Sequence, residues 1–190
     1  MLRRFLVIAA LVLIHAAPAT AAESDTAASI ARVLELTNAE RAKVGVAPLT
    51  LSSELRSAAE DYSVVLATSG CFQHTCGPVP DIADRIGQAG YQGWTAIGEN
   101  IAAGYQSPEA VVAGWMASPG HRQNLLNSKY KEIGIGMAVG SGRYGTFWTQ
   151  DFGARRVMPA PALAVQMNEA PPPDQETAPP DDGAPPPEGE

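Results

Sequence analysis

The stretch "EIGIGMAVGSGRYGTFWTQDFG", Glu132 to Gly153, changes the period of the chain. Ile133, Ile135, Met137 and Val139 alternate with Gly134, Gly136 and Ala138, and a period of two is the mark of a strand with one face buried. Gly140-Ser141-Gly142 then turns the chain into Tyr144 to Phe152, which predicts a β-hairpin. Its glycine face carries almost no side chain, as expected where something must approach the strand backbone closely. A nucleotide-binding reading of these glycines fails, because no helix follows them and their spacing is not that of a phosphate loop.

Working outward, "IGENIAAG", Ile97 to Gly104, predicts a third strand, and the rest of the pattern is helical. Ile30, Val33, Leu34, Thr37 and Val44 recur at near-helical spacing from Ser29 to Val44, with Gly45 at the stop. Ser52 can cap a second helix whose stripe is Leu55, Ala58, Ala59, Tyr62, Val65 and Leu66, ended by Ser69-Gly70. A short helix is predicted from Ile82 to Ala89, and another begins with Ser107 as cap and Pro108 at the first helical position. The latter buries Val111, Val112, Trp115 and Met116 and runs to Ser118. Helices first, then a strand, a helix and a terminal hairpin predict an α+β domain with helices on an antiparallel sheet, and argue against a parallel α/β fold.

The two ends have different chemistry. "MLRRFLVIAALVLIHAAPATAA" places Arg3 and Arg4 before an apolar run, Phe5 to Ile14, and small residues up to Ala21. It reads as a secretory signal peptide, residues 1–21, cut after Ala21; the run is shorter than the roughly 20 residues of a spanning helix. After cleavage no transmembrane segment is expected, and the mature chain keeps His74 and His121 of its three histidines. At the other end, residues 157–190 carry seven of the 20 acidic residues and none of the 13 basic ones. The net charge of −7 therefore belongs to this segment, and residues 1–156 are neutral. Its prolines and its self-repelling charge predict a disordered acidic Pro-rich tail. Between the ends, residues 28–156 suffice for one domain with one core. They hold no basic stripe, so nucleic acid is not an expected partner.

The two cysteines, Cys71 and Cys76, sit in "GCFQHTCG". In an exported chain a disulfide is the default; the competing reading is a metal site that uses both thiols and His74. Of the remaining polar residues, Glu99 stands in "GEN" between apolar Ile97 and Ile101, where an unpaired carboxylate would be costly. His74 lies in the cysteine loop, and His121 lies in "SPGHRQNLLN" between a helix-stopping Pro119-Gly120 and an amide-rich turn. Two imidazoles and a carboxylate converging would make a divalent-metal site or a hydrogen-bonded cluster. The competing reading is that each histidine is a separate loop residue satisfied by backbone.

The stretches "LTNAERAKVGVAPLTLSSELRSAAEDYS", "CFQHT", "IGENIAAGYQSPEAVVAGWMASPGHRQNLLNSKYKEIGIGMAV" and "FWTQDFG" together resemble the bacterial branch of the CAP superfamily. These are SCP-domain proteins related to cysteine-rich secretory proteins, antigen 5 and plant pathogenesis-related proteins. The resemblance runs in order from Ile30 to Gly153. It implies a three-layer α-β-α sandwich with a mostly antiparallel central sheet. It also implies a cleft of two histidines and two acidic residues, which in some members holds a divalent cation. The first histidine matches His74, the "GEN" acid matches Glu99 and the second histidine matches His121. In many eukaryotic members the family's other acid falls three positions after the helix tryptophan, where this chain has Ser118.

The expected cleft residues are therefore His74, Glu99, Ser118 and His121, with His74, Glu99 and His121 as ligands for a weakly held, non-structural zinc ion. From the resemblance the chain is expected to be an exported, non-catalytic binding module for a lipid-like or envelope-derived ligand, secreted or periplasmic. The alternative is a metal-assisted hydrolase or protease in the same cleft. Against it, the helical H-E-x-x-H pattern is missing and no nucleophile elbow surrounds Ser118. A third reading is a passive surface protein that interacts through its tail.

Overall fold

The structure is a computed structural model that describes residues 21–141 and 143–156. The expected signal peptide, apart from Ala21, and the acidic tail lie outside the described residues. In chain order the elements are α1 (Ala21–Lys43), β1 (Thr50–Leu51), α2 (Ser53–Thr68), α3 (Ile82–Gln88), β2 (Trp94–Ala103), α4 (Pro108–Ala117), α5 (Pro119–Leu125), β3 (Glu132–Val139) and β4 (Thr146–Arg155).

The strands form one sheet in the order β1-β3-β4-β2. The expected hairpin is β3 with β4, antiparallel, and β2 lies antiparallel on the far side of β4. The two-residue β1 pairs in parallel with β3, so the sheet is mixed. A parallel neighbour is reached by a crossover and not by a hairpin turn, and nothing in "LTL" marks such a short pairing.

Why α2 lies on this sheet is written in the glycines of β3. A Cβ built at Gly134 would fall 2.0 Å from the Leu55 carbonyl carbon, and one at Gly136 would fall 2.1 Å from the Ala59 carbonyl oxygen. The body that needed a bare strand face is thus the backbone of α2. The opposite face carries the main core, in which Ile30 and Val33 of α1, Val111 and Trp115 of α4 and Leu125 of α5 meet Ile133, Ile135, Trp148 and Phe152. Helices on both faces make the α-β-α sandwich.

The caps behave as their chemistry requires. Ser52, Asp81 and Ser107 each accept a hydrogen bond from the backbone N–H three residues on. Pro119 corrects one expectation: α4 does end at Ala117, but Pro119 opens α5 and does not merely stop a helix. Its missing N–H is one that the first turn of a helix leaves unused, and its fixed φ suits that turn. "SPGHRQNLLN" is therefore chiefly a helix.

Candidate functional site

Strand β2 is an edge, and edge strands expose unpaired backbone groups. Here three carbonyls of β2 receive side-chain donors instead of another strand. Ile97 O accepts from the Tyr130 hydroxyl at 3.0 Å, Glu99 O from Asn124 Nδ2 at 3.0 Å, and Ile101 O from Trp115 Nε1 at 3.4 Å. Asn100 completes the lock: its Nδ2 donates to His121 O and to Gln150 Oε1, both at 3.2 Å, and its Oδ1 accepts from Asn124 Nδ2 at 3.0 Å. The asparagines of "GEN" and "SPGHRQN" thus hold α5 against β2, and this interlock sets His121 beside the strand.

On the sheet face covered by α2, the side chain of Glu99 is almost fully buried and has two partners. Oε1 lies 2.7 Å from His74 Nδ1 and Oε2 accepts from the Arg85 guanidinium. The carboxylate on Nδ1 favours the tautomer with the proton there, and the Glu99 bond raises the His74 pKa above the ordinary imidazole value, against the effect of burial. Arg85 does more than pair with Glu99. Its Nη1 donates to His74 O at 3.1 Å and to Pro80 O at 2.8 Å, and its guanidinium lies 3.6 Å from the centre of the Tyr62 ring. The disulfide between Cys71 and Cys76 closes the loop from the other end. His74 is therefore held by the disulfide, by Arg85 and by Glu99, although its own side chain is 58% exposed.

Directly across the ladder from Glu99 stands Asp151. It is 0% exposed, and neither of its carboxyl oxygens receives a hydrogen bond. Burial first, and then the charge of Glu99, hold its pKa well above the usual carboxylate range. Both effects favour its protonated form.

His74 and Glu99 thus meet directly. His121 makes no side-chain hydrogen bond to either, but it lies close enough for the His74 charge to lower its pKa, after the larger effect of burial. Ser118 caps no helix with its hydroxyl. It lines a cleft of about 290 Å³ together with Phe72, Ile101, Tyr105, Trp115 and His121. Sequence reasoning missed Arg85 and Asp151. Arg85 reads as one more solvated charge in "DIADRIGQ", and only the register of β2 on β4 brings Asp151 to Glu99.

The donor set does not suit the divalent cation that the resemblance implies. Among the described residues no three His, Cys, Asp or Glu side chains are grouped to hold a metal ion. Both oxygens of Glu99 are already engaged, one by a guanidinium that would repel a second cation. The cysteines are spent on their disulfide.

Comparison with known proteins agrees with this architecture. The CAP family, the cysteine-rich secretory protein family, matches residues 34–152. The chain is 38% identical over 144 residues to the uncharacterized protein YkwD of Bacillus subtilis, a match covering 72% of this chain and 54% of that protein. The chain thus spans about half the length of this relative. An extracellular SCP-domain protein from Bacillus anthracis superposes with a TM-score of 0.64 at 27% identity, over 74% of this chain and 45% of that one. An outer surface protein of Borrelia burgdorferi shares the fold, with a TM-score of 0.63 at 23% identity over 70% of this chain and 96% of its own. With the sandwich and the motifs that build its edge strand in place, the chain belongs to the CAP family of cysteine-rich secretory proteins.

Proposed function

We propose that this chain is an exported, non-catalytic binding module whose ligand, lipid-like or envelope-derived, enters the cleft between the disulfide loop and the α4–α5 corner. The observation that carries this reading is the lining. Phe72 and Tyr105 stand 42% and 37% exposed at the rim, buried Trp115 and Ile101 lie behind them, and Ser118 and His121 offer the polar contacts. A concave, largely apolar wall with a few polar groups suits an amphipathic ligand. Gly114 supports the wall: a Cβ there would fall 2.5 Å from the Tyr105 ring, so α4 is bare where that ring rests. The disulfide fits an oxidising compartment, secreted or periplasmic. Among the described residues no helix is long and apolar enough to cross a membrane.

The His74–Glu99 pair could orient a general base, as the hydrolase reading requires, but the metal-assisted form of that reading finds no support in the donor set. The test is calorimetric titration of the mature protein with palmitate and, separately, with soluble wall glycan fragments. Saturable binding of one of them, abolished in Ser118→Trp with the melting temperature unchanged, is expected, because the indole fills the cleft. No saturable response to either would sink the proposal.

A further inference from the structure

Of the three tryptophans in this chain, Trp115 and Trp148 are 1% and 0% exposed, whereas Trp94 stands 43% exposed at the start of β2. The ladder explains where its indole goes. Trp94 pairs with Arg155 and Ala96 with Ala154, so Thr95 is an extra residue between two ladder positions, a bulge. In a regular strand Trp94 would share the side of Ala96, which packs on the main core. The extra residue turns the indole to the other side, where Ile97 packs with Ile86 of α3. The loop that delivers it is pinned: Tyr91 is fully buried and its hydroxyl donates to Glu132 Oε2 at 2.7 Å, while Gln92 Nε2 donates to Gly87 O at 2.9 Å.

The indole borders a shallow groove of about 450 Å³ with Asp84, Gly87, Gln88 and Gln92. Asp84 and Gln88 are four residues apart on α3 and so share a face. Among the described residues, no group is hydrogen bonded to the Asp84 carboxylate or the Gln88 amide. No Lys or Arg lines the groove, which disfavours a phosphate or carboxylate ligand. None of the other exposed large hydrophobic side chains lines it either, so it lacks the apolar centre of a protein interface. A single aromatic face bordered by amides and a carboxylate is complementary to a sugar ring. The ring's C–H groups carry partial positive charge and stack on the negative π face. Its hydroxyls donate and accept, and here Asp84 and the Gln92 carbonyl oxygen accept while the Gln88 amide does both. With the loop already pinned, little is left to order on binding.

We propose that this groove is a second binding site, separate from the cleft, which takes an uncharged pyranose of a glycan chain on the Trp94 indole and bonds its hydroxyls through Asp84, Gln88 and Gln92. It lies at the opposite end of β2 from Ile101 of the cleft, roughly 23 Å along the strand at the rise of a β-strand. It therefore does not depend on what the cleft holds.

The test uses the mature protein with uncharged tetramers of glucose and of N-acetylglucosamine. Because the other two tryptophans are buried, acrylamide quenching of the wild type reads Trp94 directly, and saturable protection by one of the tetramers is expected. Calorimetry should show binding at least about tenfold weaker in Trp94→Ala, weaker also in Asp84→Ala, and unchanged in Ser118→Trp, with melting temperatures close to that of the wild type. If neither tetramer protects the indole, the proposal is overturned. Saccharide binding that is lost in Ser118→Trp would place the sugar in the cleft, which overturns this site and leaves the cleft reading standing. Self-association in sedimentation that Trp94→Ala abolishes would make the indole a contact between copies of the chain, and overturns it as well.

Discussion

A carboxyl group with no exposed surface and no hydrogen-bond donor, as Asp151 is, folds most easily with its proton on. Because its folded pKa lies well above the unfolded value, folding takes up a proton between the two. This stabilisation is complete below about pH 4 and is lost as the pH rises through the folded value. His74, whose pKa is also raised, acts in the same sense from a higher starting point: its contribution is complete below about pH 6.5 and fades above its folded pKa. Asp151→Asn keeps the shape of the neutral acid and removes the titration. The melting temperature of the wild type, measured against that of Asp151→Asn from pH 4.5 to 8.5, should therefore fall as the pH rises. A difference that grows in favour of the wild type towards pH 8.5 would contradict the raised pKa of Asp151. Glu54 works in the opposite direction, its pKa pulled down to about 2 by the Ser52 hydroxyl and then by Arg155. It is common to both proteins and cancels in the comparison.

Between elements, backbone contact and side-chain caps carry the packing. Gly136 touches the backbone of α2 and not a flexible side chain, so a methyl group there can be accommodated only by moving a helix. Gly136→Ala is expected to cost at least the upper end of the about 1–3 kcal/mol typical of overpacking, read by urea denaturation. At the edge, Asn124→Ala leaves Glu99 O and Asn100 Oδ1 without their shared donor. Each buried acceptor so orphaned costs about 1–3 kcal/mol. Faster amide exchange in α5 and β2 should accompany the loss of stability, because Asn124 is one of the side chains that hold them together. Arg41 has a comparable role out of solvent, donating to Ala47 O, Leu125 O, Asn127 O and Tyr130 O and so tying α1 to the end of α5.

At the scale of the whole molecule, the disulfide spans a sequence separation of only five residues, so it restrains the unfolded chain modestly. Replacing both cysteines by serine should cost about 2 kcal/mol. It should loosen His74 more than the fold, which histidine ring resonances can follow. Residues 157–190 carry all the net charge and little that could build a core. Removing residues 159–190 is expected to leave the melting temperature of the remaining domain within about 1 °C. A large drop would mean that this segment packs on the sandwich.

Local period and local chemistry along the chain account for one part of the molecule. The hairpin from Glu132 to Phe152, the caps at Ser52 and Ser107, the bare face of β3 and the pairing of the two cysteines all follow from neighbours within a few residues. His74, Glu99 and His121 were legible as special because histidines are scarce and a carboxylate between isoleucines is costly. Which groups meet is set by long-range packing. Arg85 and Asp151 look like any solvated charges along the chain, and they join Glu99 only through the packing of α3 and the register of β2 on β4. The helix that Pro119 opens is held to the edge strand by Asn100 and Asn124. These are long-range contacts, and local periodicity has no means of recording a partner that lies tens of residues away.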